Sequence, residues 1–169
     1  IPLKTNQLIR STINENEVAY YSFALLSQVR DIKTMHFQIT LITGEADVLF
    51  SFREFPNRTN YKDIYEYFDF IDISFENEEL VSGNYYLAIE AKTLLDYTIL
   101  VLLEKNQEDS TPNYLQLLEG QPLRINFHDY TQKFYFEIQW DPSEASSSLF
   151  LNLKSIWGVF VGWIIEANK

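Results

Sequence analysis

Met35-His-Phe-Gln-Ile-Thr-Leu41, followed after Thr43-Gly44-Glu45 by Ala46-Asp-Val-Leu-Phe-Ser-Phe52, decides the fold of this chain. In the first block Met35, Phe37, Ile39 and Leu41 alternate with His36, Gln38 and Thr40. In the second, Val48, Phe50 and Phe52 alternate with Asp47, Leu49 and Ser51. A period of two puts successive side chains on opposite faces, so both blocks read as β-strands with one apolar face each. The same alternation recurs over Ile71–Phe75, Tyr85–Ile89 and Tyr97–Val101. Turn residues at Thr43-Gly44-Glu45, Phe55-Pro56-Asn57 and Ser82-Gly83-Asn84 separate the blocks. Short strands at this spacing predict an all-β fold, an antiparallel β-sandwich of jelly-roll or immunoglobulin-like type. One stretch departs from the pattern. Tyr61, Ile64, Tyr65 and Phe68 fall at i, i+3, i+4 and i+7, which predicts a turn of helix before the strand at Phe70.

The 169 residues suit one ordinary domain or two small ones. A hydrophobic content of 46%, with 13 Phe, 11 Tyr and 3 Trp, supplies a sizeable core and excludes a disordered acidic tail. The 13 Lys and Arg stand against 24 Asp and Glu, a net charge of −11. Nucleic acid and anionic membrane surfaces are therefore disfavoured partners, because binding them rests on basic residues displacing counterions. There is no Cys, which removes disulfides, thiolate nucleophiles and zinc–thiolate sites but leaves the compartment open. Ile1 in place of an initiator Met is expected of a piece cut from something longer. The longest apolar run, Ile156–Ile165, falls short of the ~20 residues a spanning helix needs, so no membrane insertion is expected.

An internal echo organises the rest. Val18–Phe23, Phe37–Gly44 and Ala46–Phe52 are matched in order by Gln132–Ile138, Leu149–Leu153 and Trp157–Trp163, with Tyr21 aligned on Phe134. Residues 104–113 between the two copies lack any apolar side chain. The expected domains are a β-sandwich over 1–104, a polar linker over 105–113, and a partial second repeat over 114–169. The second copy ends before counterparts of the last three strands appear. Its final run is apolar on both faces: Val159, Val161, Trp163 and Ile165 on one, Phe160 and Ile164 on the other. A strand apolar on both sides is covered on both sides. Three arrangements satisfy it: a cut tandem array, extra layers packed on the first repeat, or strands supplied by another copy. In the last case Ile1 and Leu3 mark a donor segment, and these two with the Trp157–Ile165 run form the expected assembly interface. A first strand of its own domain is the alternative for residues 1–9.

Tyr21-Ser-Phe23 with Phe37–Leu41, Gly44-Glu-Ala-Asp47-Val-Leu-Phe50, Ser82–Ile89 and Asp96–Val101 resemble the bacterial pre-peptidase C-terminal (PPC-type) β-sandwich family. The resemblance covers roughly 8–103, with a truncated second copy over 117–165. It implies a secreted, non-catalytic domain, often tandem, with accessory, adhesive or folding-assistance roles, and no catalytic residues to carry over. Some members bind calcium through acidic residues, and Asp47 stands at the matching Gly-x-x-Asp block. The second copy has Gly158-Val-Phe there, which weakens calcium as a ligand, so no cofactor is expected.

Few residues invite chemistry. His36 falls on the polar face of its strand and His128 in a turn with Asp129, so both are expected at a solvated surface. No Gly-x-Ser-x-Gly elbow, His-Glu-x-x-His, phosphate loop or EF-hand loop occurs. Acidic clusters at Glu15/Glu17 and Glu76–Glu79 read as loop charge. Asn57-Arg58-Thr59 is a glycosylation sequon in a Pro-marked loop, and an N-glycan at Asn57 is an expected partner. Tyr20, Tyr86 and Tyr135 fall on the outward phase of their strands, where they serve packing against a neighbour or stacking on sugars. The sequence thus points to a non-enzymatic extracellular structural protein whose copies join head to tail by completing a neighbour's sheet, an arrangement that can extend into a fibre. A carbohydrate- or calcium-binding accessory domain of a secreted hydrolase is the alternative.

Overall fold

The computed structural model describes residues 1–26, 29–105, 114–117, 123–124 and 135–138. The chain divides into two units, Ile1–Gln139 and Trp140–Lys169, of which the second lies outside the described residues. The expected interface residues Trp157, Val159, Phe160, Val161, Trp163, Ile164 and Ile165 lie there too, and His128 of the first unit is likewise outside the described residues.

Eight strands build two four-stranded antiparallel sheets. They are β1 (Ile9–Ile13), β2 (Val18–Leu25), β3 (Ile32–Thr43), β4 (Ala46–Ser51), β5 (Asp63–Tyr65), β6 (Phe70–Glu76), β7 (Gly83–Ala91) and β8 (Leu95–Lys105). One sheet runs β1-β8-β3-β6 and the other β2-β7-β4-β5. Their pairings are nested: β4 with β5, β3 with β6, β2 with β7, β1 with β8. That nesting is a long hairpin rolled over on itself, the jelly roll.

The inward residues are those the alternation selects. Met35, Phe37 and Ile39 of β3 face Val48 and Phe50 of β4, with Tyr85, Leu87 and Ile89 of β7 and Tyr97, Ile99 and Val101 of β8 in the same core. Aromatic rings fill its centre, Phe50 lying 5.2 Å from Phe75 and Phe37 5.8 Å from Phe23 between ring centroids. The buried Tyr21 and Tyr97 hydroxyls bond each other across the core at 2.7 Å.

The turn at Gly44 is a corner between sheets, since β3 and β4 belong to different ones. Gly44 has φ +89°, and a Cβ there would lie 2.3 Å from the Leu94 carbonyl oxygen. Residues 92–94, where β7 gives way to β8, form the facing corner. Glu45 N–H donates to Thr93 Oγ1 at 2.9 Å, and Lys92 N–H to Glu45 O at 2.8 Å.

Two expectations need correction. The helical turn over 61–68 is absent: Asp63–Tyr65 is β5, paired with Val48–Phe50 of β4. A helix-like spacing over two turns is too short to offset nucleation, whereas the edge of β4 offers partners to the backbone directly. His36 is not solvated; it is 3% exposed. The outer face of the β1-β8-β3-β6 sheet is covered beside it, because Leu115 and Leu123 pack with Leu8, Leu100 and Leu102. On the β6 side the Arg124 guanidinium lies 4.6 Å over the Phe70 ring. Leu3, which with Ile1 marks the N-terminal segment, is seated in this chain's own core at 6% exposure, as a first strand of its own domain would be. It is drawn there because residues 1–6 find unpaired backbone on the edge strand β2 and on the part of β8 beyond its pairing with β1. Leu3 N–H donates to Ser22 O at 2.7 Å, Ser22 N–H to Ile1 O at 3.0 Å, and Asn6 N–H to Val101 O at 2.9 Å.

Beyond β8, Leu115 belongs to β9 (Tyr114–Leu117), which pairs in parallel with β10 (Tyr135–Ile138). The seating of Leu115 adds apolar cover to the outside of the first sandwich. Burying a leucine side chain in this way contributes about 1.5–3 kcal/mol.

Candidate functional site

The outer face of the β2-β7-β4-β5 sheet carries most of the described chemistry. Period-two alternation sends Asp47, Leu49 and Ser51 of β4 outward, together with Tyr86, Ala88 and Glu90 of β7 and Val18 and Tyr20 of β2. Registers place Asp47 and Val18 on either side of Glu90, and Leu49 and Tyr20 on either side of Ala88. Leu49 and Ala88 are nonetheless fully buried. The segment 52–62 between β4 and β5 lies across this face as a strap. Phe55 docks edge-on against Tyr20 at 5.5 Å and Tyr86 at 4.8 Å, Pro56 is buried, and Arg58 reaches down to Asp47 and Glu90.

Asp47 is 1% exposed and ion-paired with both Arg58 and Lys92. Arg58 also donates from Nε to Glu90 Oε2 at 2.6 Å and has Glu66 Oε1 3.6 Å from Nη1. Burial works to raise the Asp47 carboxyl pKa, but hydrogen bonds from Lys92 and Arg58 outweigh it and hold the group below its usual value. The same bonds raise both cations. Asn16, Glu17, Arg58, Glu90 and Lys92 line a shallow hollow of about 220 Å³ beside this cluster. Two side-chain cations therefore satisfy the carboxylate that the Gly-x-x-Asp resemblance marks for calcium. Among the described residues no three acidic or histidine side chains are gathered for a metal.

The strap also holds Asn57, which is exposed. Its Oδ1 accepts from Thr59 N–H at 2.9 Å and from Thr59 Oγ1 at 2.7 Å, an Asx turn. Asn57 N–H in turn donates to Asn60 Oδ1 at 2.7 Å. Of the residues expected outside, Tyr20 is 41% exposed and Tyr135 42%. Ile1 is exposed, its ammonium donating to Tyr20 O at 2.8 Å.

A second polar cluster lies on the outer face of the other sheet. His36 Nδ1 is 3.1 Å from Asp72 Oδ1, His36 Nε2 is 3.0 Å from Thr34 Oγ1, and Gln38 Nε2 donates to Asp72 Oδ2 at 3.1 Å. Hydroxyl, imidazole and carboxylate stand in the order of a nucleophilic triad. Thr34 and His36 are buried and the Asp72 side chain is 6% exposed, so no substrate reaches them in this arrangement. The cluster pairs most of its buried polar groups with one another, while Gln38 Oε1 has no hydrogen-bond partner among the described residues.

Sequence reasoning missed Phe55, Arg58, Glu90 and Lys92. The signal available was Phe55-Pro-Asn-Arg-Thr59, in which a turn is bracketed by an aromatic and a cation.

The chain is similar to the pre-peptidase C-terminal domain of collagenase from Bacillus anthracis, known from a crystal structure. The identity is 15%, the TM-score 0.45, and the likeness covers 59% of this chain and 91% of that one. No family model matches the chain, and no curated protein does.

Proposed function

We propose that the chain is a non-enzymatic, extracellular structural module whose copies associate head to tail, each completing a neighbour's sheet, an arrangement open to growth into a fibre. The seating of Ile1–Asn6 carries this reading. The ribbon is held by backbone hydrogen bonds to β2 and β8 and by one apolar plug, Leu3. The same contacts are available to the same segment of another copy, which is the basis of strand exchange. Turned back on its own body the ribbon closes the chain; passed onward it makes a heterologous contact that builds rings or filaments. A non-catalytic role is supported by the engagement of Asp47, Glu90, His36 and Asp72 with partners inside the chain.

Light scattering on chains unfolded and refolded at rising concentration tests the proposal. Dimers and larger species are expected from the full chain. A version lacking Ile1–Asn6 is expected to stay monomeric and to capture an added peptide of those six residues. A full chain that returns as monomer at every concentration refutes it.

A second reading, a saccharide-binding accessory domain of a secreted hydrolase, is favoured by the exposed Tyr20 and Phe55 rings on the same face as the polar hollow. Saturable calorimetric binding of a free oligosaccharide by a strict monomer would support it over assembly. Calcium has less support, since Arg58 and Lys92 already neutralise Asp47.

A further inference from the structure

We infer that Asn57 carries an N-linked glycan and that the first sugar of this glycan packs on the exposed ring of Phe55, so that the aromatic surface of the strap is the seat of the chain's own carbohydrate. Four observations converge. Asn57-Arg58-Thr59 is the one sequon in the sequence, and it sits on a braced turn rather than inside a strand. The Thr59 hydroxyl and N–H both donate to Asn57 Oδ1, which turns Nδ2 away from them; among the described residues Nδ2 has no hydrogen-bond partner. Phe55 precedes Asn57 by two residues, within roughly 7 Å of backbone, so a sugar joined to the Asn57 amide is within reach of the ring. Phe55 is 45% exposed although Tyr20 and Tyr86 hold it in place, which leaves ring surface uncovered and fixed.

The chemistry is ordinary for the acceptor. Nδ2 forms a bond to C1 of an oligosaccharide carried on a polyisoprenyl pyrophosphate. The C1–O bond to the pyrophosphate breaks, and the amide proton passes to the transferase's base. The contact then follows from ring electrostatics. An aromatic face is negative and the axial C–H bonds of a pyranose present positive hydrogens, so the sugar lies on the ring as another ring's edge would. This inference adds an occupant for the strap to the extracellular role proposed above. Glycan occupancy and oligomeric state are read separately, so one fails without the other.

The test is secretion of the full chain from cultured animal cells, or its translation into microsomal vesicles, with intact mass measured before and after peptide N-glycosidase. One glycan, located at Asn57 by deamidation and lost in Thr59→Ala, is the expected result. After trimming to a single N-acetylglucosamine, protons of that sugar should show upfield ring-current shifts that vanish in denaturant. The sugar should also shift the folding equilibrium towards the native state by roughly three- to tenfold with Phe55 present, and by little in Phe55→Ala. Folded wild-type chain with Asn57 bare overturns the inference. So does an occupied Asn57 whose sugar protons are unshifted, a readout that needs no variant to fold.

Discussion

Replacing Gly44 with alanine is the sharpest test of how the two sheets are joined. The residue sits at φ +89° in the corner between β3 and β4, and the added methyl would lie 2.3 Å from the Leu94 carbonyl oxygen and 3.0 Å from the Leu95 Cα. The left-handed backbone costs an L-residue roughly 1–2 kcal/mol. The overlap costs about 1–3 kcal/mol more, because its partners are backbone and move only if the 92–94 corner opens. Alanine recovers about 0.4–1 kcal/mol by restricting the unfolded chain. The balance is a loss of roughly 1–4.6 kcal/mol, which at a urea slope of about 2 kcal/mol/M lowers the unfolding midpoint by about 0.5–2.3 M with the slope unchanged. Gly83 supplies the control, since it has φ +149° but nothing within 4 Å of the place an added methyl would take. Gly83→Ala therefore keeps only the conformational part of the penalty. Urea unfolding of the two variants beside the parent measures the difference. A Gly44→Ala chain as stable as Gly83→Ala would refute the claim that the two corners are packed against each other.

Three further outcomes follow from the same packing. The folded-state pKa of Asp47 is depressed below its unfolded value, so its ion pairs stabilise the chain above the unfolded carboxylate value of about 3.9 and are lost as pH falls through the folded one. Acid titration should show a stability loss below about pH 4 that is diminished in Asp47→Asn. Tyr97 behaves in the opposite direction: burial first, then the Tyr21 hydroxyl, raise its pKa. The unfolded chain ionises first, and stability should fall once pH exceeds about 10, where ultraviolet phenolate absorbance tracks unfolding. Leu3→Ala should cost about 2–4 kcal/mol in thermal or urea unfolding; a change near zero would show that the N-terminal ribbon does not contribute to the body's stability.

The long strands were legible because their alternation is strict and their burial one-sided. β3, β6, β7 and β8 lie where Met35–Leu41, Ile71–Phe75, Tyr85–Ile89 and Tyr97–Val101 alternate. β5 was illegible for the converse reason. Only three residues long, it is specified by the exposed edge of β4, a tertiary fact that no local period records. Polar type misled at His36, since a residue on the nominally outer face meets solvent only if nothing else covers that face. Asn57 was visible as a triplet. Asp47 was marked by the Gly-x-x-Asp resemblance, but its partners Arg58, Glu90 and Lys92 were not, because the strap and strand register bring them together.

The nested pairing also sets an order of events during synthesis. Ile9 of β1 pairs with Ile99 of β8, so one of the earliest strands to leave the ribosome waits for the last of the eight. At roughly 5–20 residues per second the delay is on the order of 5–20 s, during which β1 has no mate. Its alternating Ile-Arg-Ser-Thr-Ile is polar enough to remain solvated meanwhile, which spares the nascent chain an adhesive unpaired strand.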